Sequence, residues 1–467
     1  MTIGEAACGW AGIVETARSI REGRRSALAL IEARLRVIEE RDSRLNCFTR
    51  IMAERARREA AAVDAAVAAG RDPGPLAGVP FGVKDNYDVA GRVTLAGSII
   101  NRARPPASAD AVLIQRLSRA GAVLVGTQNM DELAYGFTTE NAHTGATRNP
   151  LDTRRSAGGS SGGSGAAVAA GLCDFALGTD TNGSIRVPAS FCGVFGLKPT
   201  FGRLPRSGTF PFVHELDHLG LLARDSADLA LIYDVVQGHD AGDAACADRP
   251  REPVSATLGE RVAGRVALLG GWFDEHADAQ GRHAAAQVAG ELGAAGMVTL
   301  PGAERARAAA FVLTAASGGN LHFRALRERA GDFDPATRDR LLAGALLPAQ
   351  PVLLAQRYRR AFHDEVMEAF RHHDLLVAPA TPCSATLLGQ ETICVAGREL
   401  PTRPNLGLLT QPLSFAGLPI VVVPVRNGAM PIGVQLIAPP WREDLALRAA
   451  AQLERAGVVR ALEPEPC

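Results

Sequence analysis

The chain has 467 residues, long enough for one very large domain or two to three ordinary ones, and its 47% hydrophobic content suits a substantial core. Lys plus Arg and Asp plus Glu both number 50, so the formal net charge is zero. That balance excludes a general attraction to nucleic acid or to anionic membranes.

The opening stretch "MTIGEAACGWAGIVETARSIREGRR" has no long apolar run between a basic start and a cleavage site, so it does not read as a secretory signal. No segment reaches the ~18 uninterrupted apolar residues of a membrane span. The eight cysteines are scattered, with no C-x-x-C pair and no metal-finger spacing. A reduced, cytoplasmic protein is the expectation.

Residues 1–70 form a helical N-terminal region. "ALALIEARLRVIEE" sets Leu28, Ile31, Leu35 and Ile38 at three- and four-residue intervals, and "AERARREAAAVDAAVAAG" is rich in helix formers before Gly70. "DPGPLAGVP" breaks that pattern and "FGVKDNYDV" reads as a short strand and loop. "ADAVLIQRLSRAG" is a helix with a glycine stop, followed at once by the buried-strand candidate "AVLVG".

The same alternation recurs downstream. "GAAVAAG" precedes "CDFALGTD", "DSADLALIYDVVQG" precedes "VALLGGWF", and "LAQRYRRAFHDEVMEAFRHH" precedes "DLLVAPA". "LPIVVVPV", "IGVQLIA" and the helix "EDLALRAAAQLERAG" close the chain. Helix–strand alternation predicts an α/β fold, with a mixed, largely parallel twisted sheet covered by helices on both faces. The expected organisation is a single large domain over 1–467. Residues 75–235 are its chemical core, the polar stretch 239–262 a surface excursion, and the more helical 303–372 a cap-like region.

"RRSAGGSSGGSGAAVAAG", residues 154–171, is either a linker or an active-site loop. A linker would be followed by a fresh start, but here the glycines run straight into a short helix and an apolar strand. It lacks the G-x-x-x-x-G-K-[ST] of a phosphate loop. Gly159-Ser160-Ser161-Gly162-Gly163 matches G-x-S-x-G around Ser161, but the preceding "NPLDTRRSAGG" does not read as the strand a nucleophile elbow needs.

Farther on, "LGTDTNGSIRVPASFCGVFGLKPTFGR" ends a buried strand in residues that favour tight turns. Ser184 in this turn is a candidate acyl nucleophile. The backbone N–H groups of Thr181, Asn182, Gly183 and Ser184 could converge on one oxygen. A serine hydroxyl needs a base. None of the ten histidines falls in 154–171 or 177–203. The alternative base is Lys84 in "GVPFGVKDN", if desolvation keeps its amine neutral near pH 7.

Together "AGVPFGVKDN", the Gly/Ser segment and "GTDTNGSIRVPASFCGVFGLKPTFGR" strongly resemble the amidase signature family. Further likenesses such as "MDELAYGFTTEN", "DLLVAPATP" and "GLPIVVVPV" extend over nearly the whole chain. The resemblance implies the amidase fold and a Ser–Ser–Lys triad at Ser184, Ser160 and Lys84. In it Ser160 follows a cis peptide bond and relays protons, while Asp180 and Arg186 brace the loop. Ser161 and Ser164 are then hydrogen-bonding structural residues. Most members carry two glycines before the nucleophile, whereas this chain has Asn182-Gly183.

The implied reaction is hydrolysis of a terminal carboxamide through a serine acyl-enzyme, releasing ammonia without metal or organic cofactor. "DTNGSIRVPAS", "YGFTTEN", "KPTFGRL", "LGGWF" and "LLTQPLSFAGLPI" resemble the branch of that family acting on 1-carboxybiuret, and the resemblance implies this small anionic amide as substrate. They also imply a small helical partner similar to the C subunit of tRNA-dependent amidotransferases. Alternatives are release of ammonia from glutamine for a partner protein, hydrolysis of allophanate, or an inactive structural role. An anion calls for a guanidinium. Arg340 occupies a place like the glutamine-carboxylate arginine of the glutaminase chains of those amidotransferases, and Tyr135 and His214 are further pocket candidates.

Overall fold

The computed structural model describes residues 12–262 and 264–461. Cys8 and Cys467 lie outside them, as does the opening stretch up to residue 11. Among the described residues no helix is long and apolar enough to cross a membrane.

Eleven strands form one sheet. In chain order they are β1 (Phe48–Ile51), β2 (Pro80–Lys84), β3 (Val123–Gln128), β4 (Phe175–Asp180), β5 (Phe195–Lys198) and β6 (His218–Ala223). The remainder are β7 (Val266–Leu269), β8 (Met297–Val298), β9 (Leu375–Pro379), β10 (Ile420–Val425) and β11 (Ile432–Ile437). Across the sheet the order is β1-β3-β2-β4-β6-β5-β10-β11-β9-β7-β8.

The sheet is mixed, as the alternation predicts, but parallel pairing is confined to its two flanks. β3, β2 and β4 pair in parallel on one side, and β9, β7 and β8 on the other. Every pair from β4 through β9 across the middle is antiparallel. "Largely parallel" therefore needs correction. Helix–strand alternation reports where a crossover helix lies, not which neighbour the next strand finds. Here β10 and β11, joined by the turn 426–431, form a hairpin that inserts between the flanks.

Period-two burial separates the two faces. Phe175, Leu177, Leu375, Val377, Val421 and Val423 join one apolar cluster that runs across one face. On the other face Leu376, Ala378 and Ile420 belong to a second cluster, and Ala176 and Val422 to a third. The helix Arg186–Cys192 spans that division: Val187 and Phe191 pack into the second cluster, Ala189 and Cys192 into the third. Both faces are covered, which is why the strands read as continuous apolar runs.

The N-terminal helices are Ile13–Arg21, Ala27–Leu45 and Ala53–Ala68. Ile31, Leu35 and Ile38 are buried as their spacing predicts, with Leu28 at the rim. Edge strand β1, between the last two helices, carries no alternation long enough to be read from sequence. Segment 239–262 holds only the short turn Ser255–Thr257 as regular structure among the described residues. It is tied down by the Arg206–Asp243 pair. Region 303–372 contains the helices Ala303–Leu321, Phe323–Arg329, Pro335–Ala345 and Ala349–His372.

Candidate active site

Two neighbouring parallel strands end side by side, and their last residues are two of those singled out from the sequence. Lys84 closes β2 and Asp180 closes β4. The chain after β4 turns through Thr181–Ile185 into the helix Arg186–Cys192, and Ser184 lies in that turn. The glycine-rich segment approaches from the other side, entering the fully buried helix Gly162–Ala169 at Ser161.

Lys84 is fully buried, with Nζ 2.7 Å from Ser160 Oγ and 2.8 Å from Thr179 Oγ1. Burial lowers its pKa from 10.5 to about 7, although the carboxylates of Asp131, Asp180 and Asp217 pull the other way. The Gly159–Ser160 peptide bond is cis, as the resemblance implied. Gly159 admits no side chain, because a Cβ there would stand 2.0 Å from Asp131 Oδ2 and 2.6 Å from Thr138 N. Burial also raises the Asp131 carboxyl to about 6, against the hydrogen bond from Thr139 N–H. The Ser161 N–H donates to Ser184 O at 3.3 Å, which ties the two serine segments together. Among the described residues no hydrogen bond joins the Ser160 and Ser184 hydroxyls directly. In enzymes without substrate such catalytic contacts are often long and close only in the complex.

The turn holding Ser184 is shaped by a buried ion pair. Arg186 Nε and Nη2 each lie 3.0 Å from a different oxygen of Asp180, and both side chains are fully buried. Arg186 also donates to Thr410 O, to Gln435 Oε1 and to Ser414 Oγ. Burial pushes the Asp180 carboxyl up, but the guanidinium overrides it and holds the group below the usual carboxylate range. Asp180 accepts from Gly183 N–H at 2.7 Å and from Ile185 N–H at 3.2 Å. Of the four amides read as oxyanion donors, Gly183's is thus already engaged. Thr181 is fixed by its hydroxyl, which donates to Asp217 Oδ1 at 2.6 Å.

Ser184 opens on a small pocket that Tyr135, Asn182, Phe311, Thr314 and Arg340 also line. Arg340 lies on the helix Pro335–Ala345, which begins where Asp334 caps it and Pro335 opens the first turn. Its guanidinium stacks 3.6 Å from the centroid of Tyr135 and donates to Tyr135 O at 2.9 Å. Arg340 Nε and the Tyr135 hydroxyl are buried without a partner.

His214 does not join them. It is exposed and lines a neighbouring pocket with Arg206 and Asp217, offering its main-chain oxygen to Arg206 Nη1 at 2.6 Å. The turn around "FVHELDH" aims the apolar Val213 and Leu216 inward and leaves the imidazole outside. A strand, Asp152–Ser156, does precede the glycine-rich segment, but it belongs to a two-stranded ribbon outside the main sheet. The Ser161 hydroxyl donates to Thr179 O and accepts from Thr179 N–H, and Ser164 donates to Leu177 O. Neither serine lines the cavity on which Ser184 opens.

Sequence reasoning passes over Thr179, Asp131, Thr314 and Thr410. Thr179 lies one position before the flagged Asp180, and Asp131 lies three positions after an apolar strand in "LVGTQNMDEL". Thr314 and Thr410 give no local signal, because each is brought in from a distant helix or loop.

The amidase family model matches residues 29–447. The chain is 54% identical over 451 residues to AtzE of Pseudomonas sp. (strain ADP), a component of 1-carboxybiuret hydrolase, covering 96% of this chain and 99% of that one. It is 37% identical to the GatA-type chain, the "A" component, of the glutamyl-tRNA(Gln) amidotransferase of Synechococcus sp. (strain RCC307), covering 96% and 97%. A solved vestigial protein complex bearing on the origins of an s-triazine catabolic enzyme superposes at a TM-score of 0.96 and 53% identity, over 97% of this chain and 100% of that one. A 6-aminohexanoate cyclic dimer hydrolase with substrate superposes at 0.86 and 30% identity, over 98% and 99%.

Proposed function

The chain belongs to the amidase family, and we propose that it hydrolyses 1-carboxybiuret to urea-1,3-dicarboxylate and ammonia. The observation that carries the chemistry is the buried Lys84 amine, held 2.7 Å from Ser160 Oγ beside the turn that presents Ser184. Near-full-length likeness to a component of 1-carboxybiuret hydrolase supports the substrate.

In this reading neutral Lys84 draws a proton from Ser160 as Ser160 takes one from Ser184. Ser184 Oγ attacks the terminal carboxamide carbon. The N–H groups of Thr181, Asn182 and Ser184 face the oxyanion, Gly183's being held by Asp180. The proton stored on Lys84 returns through Ser160 to the departing nitrogen, and ammonia leaves. Water then attacks the acyl-enzyme along the same relay and frees the new carboxylate. Arg340 and the Tyr135 hydroxyl are suited to receive the carboxylate at the far end of the substrate.

A small helical partner resembling the C subunit of tRNA-dependent amidotransferases completes the reading. That a close structural neighbour was solved as a protein complex is consistent with a hetero-oligomer.

Ammonia release from 1-carboxybiuret, glutamine and allophanate, measured side by side, tests the assignment. Turnover is expected with 1-carboxybiuret well above the other two. Preference for glutamine would transfer the chain to the amidotransferase glutaminases, the reading that the 37% likeness favours. Loss of all ammonia release with every substrate would leave only a structural role.

A further inference from the structure

Asn182 stands two residues before Ser184 and is buried, with only 6% of its surface exposed. Both of its ends are tethered. Its main-chain oxygen accepts from Thr410 Oγ1 at 2.7 Å, and its side-chain Nδ2 donates to Thr314 Oγ1 at 2.9 Å. Thr314 belongs to the helix Ala303–Leu321, so the carboxamide is gripped from a separate layer of the fold. What remains is Oδ1, buried, without a partner, on a residue that lines the same cavity as Ser184.

A buried acceptor left unpaired is unfavourable unless water or a ligand supplies the donor, and a ligand that fills the cavity displaces the water. A glycine, as in most proteins of the resemblance, would leave no such acceptor. The scissile carbonyl must lie against Ser184, so the atom next to that carbonyl on the acyl side lies in the cavity that Asn182 also lines. In an alkyl amide such as glutamine that atom is a methylene, which offers no donor. In an acylurea it is an N–H.

On the reading that Ser184 is the nucleophile, we infer that Asn182 Oδ1 accepts a hydrogen bond from a substrate N–H adjacent to the scissile carbonyl. Asn182 thereby selects ureido amides over alkyl amides. Thr314 is a positioning residue in this arrangement, since its hydroxyl accepts from Nδ2 and so holds the carboxamide with Oδ1 left over.

Biuret and malonamide differ only in having N–H or CH2 between two carboxamide carbons, and they isolate this contact. Binding of each to full-length Ser184→Ala protein is measured by calorimetry, which needs no turnover. Biuret is expected to bind about 10-fold tighter or more than malonamide, the worth of one well-made hydrogen bond in a buried site. Adding Asn182→Gly should bring the two within about 2-fold of each other. Any general change in the loop moves both ligands together and leaves the ratio alone. Thr314→Val, which leaves the Ser184 turn unaltered in sequence, should also shrink the ratio, and it serves if the glycine variant does not fold. Equal binding of the two ligands, undetectable biuret binding, or a ratio that survives Asn182→Gly would each overturn the inference. Failure of 1-carboxybiuret as a substrate would remove the proposed reaction while leaving a biuret preference intact, so the two failures are distinguishable.

Discussion

Gly183 donates its N–H to Asp180 Oδ1 at 2.7 Å, and this bond engages the middle amide of the Ser184 loop. The carboxylate thus acts as the template for the turn, gathering the amides of Gly183 and Ile185. Asp180→Asn would replace one of its oxygens with a donor and set it against an N–H. Ammonia release should fall about 100- to 1,000-fold, the scale of losing an oxyanion donor. KM should change little, because the contacts of Arg340 and Tyr135 are untouched. Steady-state kinetics with the best substrate checks both quantities.

Arg186 has the opposite role, since it makes the buried charge of Asp180 tolerable. Replacing it with Met leaves a carboxylate with no exposure and no cation. The loss should be about 3–5 kcal/mol of stability, read from urea denaturation at neutral pH. The double variant Asp180→Asn with Arg186→Met should lose less than the sum of the two single changes, because the uncompensated charge has gone.

Gly183 itself sits at φ +137°, where a Cβ would lie 2.1 Å from Thr410 Oγ1. Gly183→Ala meets both obstacles at once, a conformation L residues rarely adopt and a hydroxyl that already bonds Asn182 O. Activity should drop about 100-fold or more while the melting temperature moves by only a few degrees, since the disturbed contacts are local to one turn.

Much of this site can be read from the chain, and the unreadable parts have a common cause. Lys84, Ser160 and Ser184 are legible because each sits in a short, unusual local context: a lysine ending an apolar strand, and serines among glycines. Asp180 and Arg186 are legible as neighbours of Ser184. Thr314 and Thr410 are not, because each reaches the loop from more than a hundred residues away, and no local pattern marks which hydroxyl a fold will bring in. The antiparallel centre of the sheet is hidden likewise. Helix–strand alternation describes the chain's itinerary, and pairing depends on which strands meet. His214 lines a pocket beside the Ser184 cavity, and no local pattern tells which of two neighbouring pockets a turn will wall.

Position separates two of the pocket candidates. Arg340 stacks on Tyr135 beside Ser184, whereas His214 faces the adjoining pocket. Arg340→Ala should raise KM for an anionic amide about 10- to 100-fold, the worth of one charge-assisted contact of about 1.5–3 kcal/mol. His214→Ala should leave kcat/KM within about 2-fold, as expected of an exposed side chain away from the reacting atoms. Measuring both variants in one preparation series guards against differences in protein quality. A large His214 effect would mean that the two pockets communicate during turnover.

Lys84 makes the sharpest pH prediction, because activity and stability respond to the same amine. It can serve as a base only when neutral, so kcat/KM should rise with pH through about 7 and then level off. For stability the sign follows from the lowered value. Between about 7 in the folded protein and about 10.5 in the unfolded chain, the unfolded chain binds one proton more, so raising the pH favours folding. The slope from this one group is about 1.4 kcal/mol per pH unit inside that window and vanishes on either side. Lys84→Met cannot titrate and should lose the slope along with all turnover. Relative to the parent, the variant should therefore look better at pH 7 than at pH 10, by on the order of 4 kcal/mol. Urea denaturation of both proteins at the two pH values measures that difference. A parallel pH dependence in the variant would mean that Lys84 keeps its proton inside the fold, and a protonated amine cannot take one from Ser160.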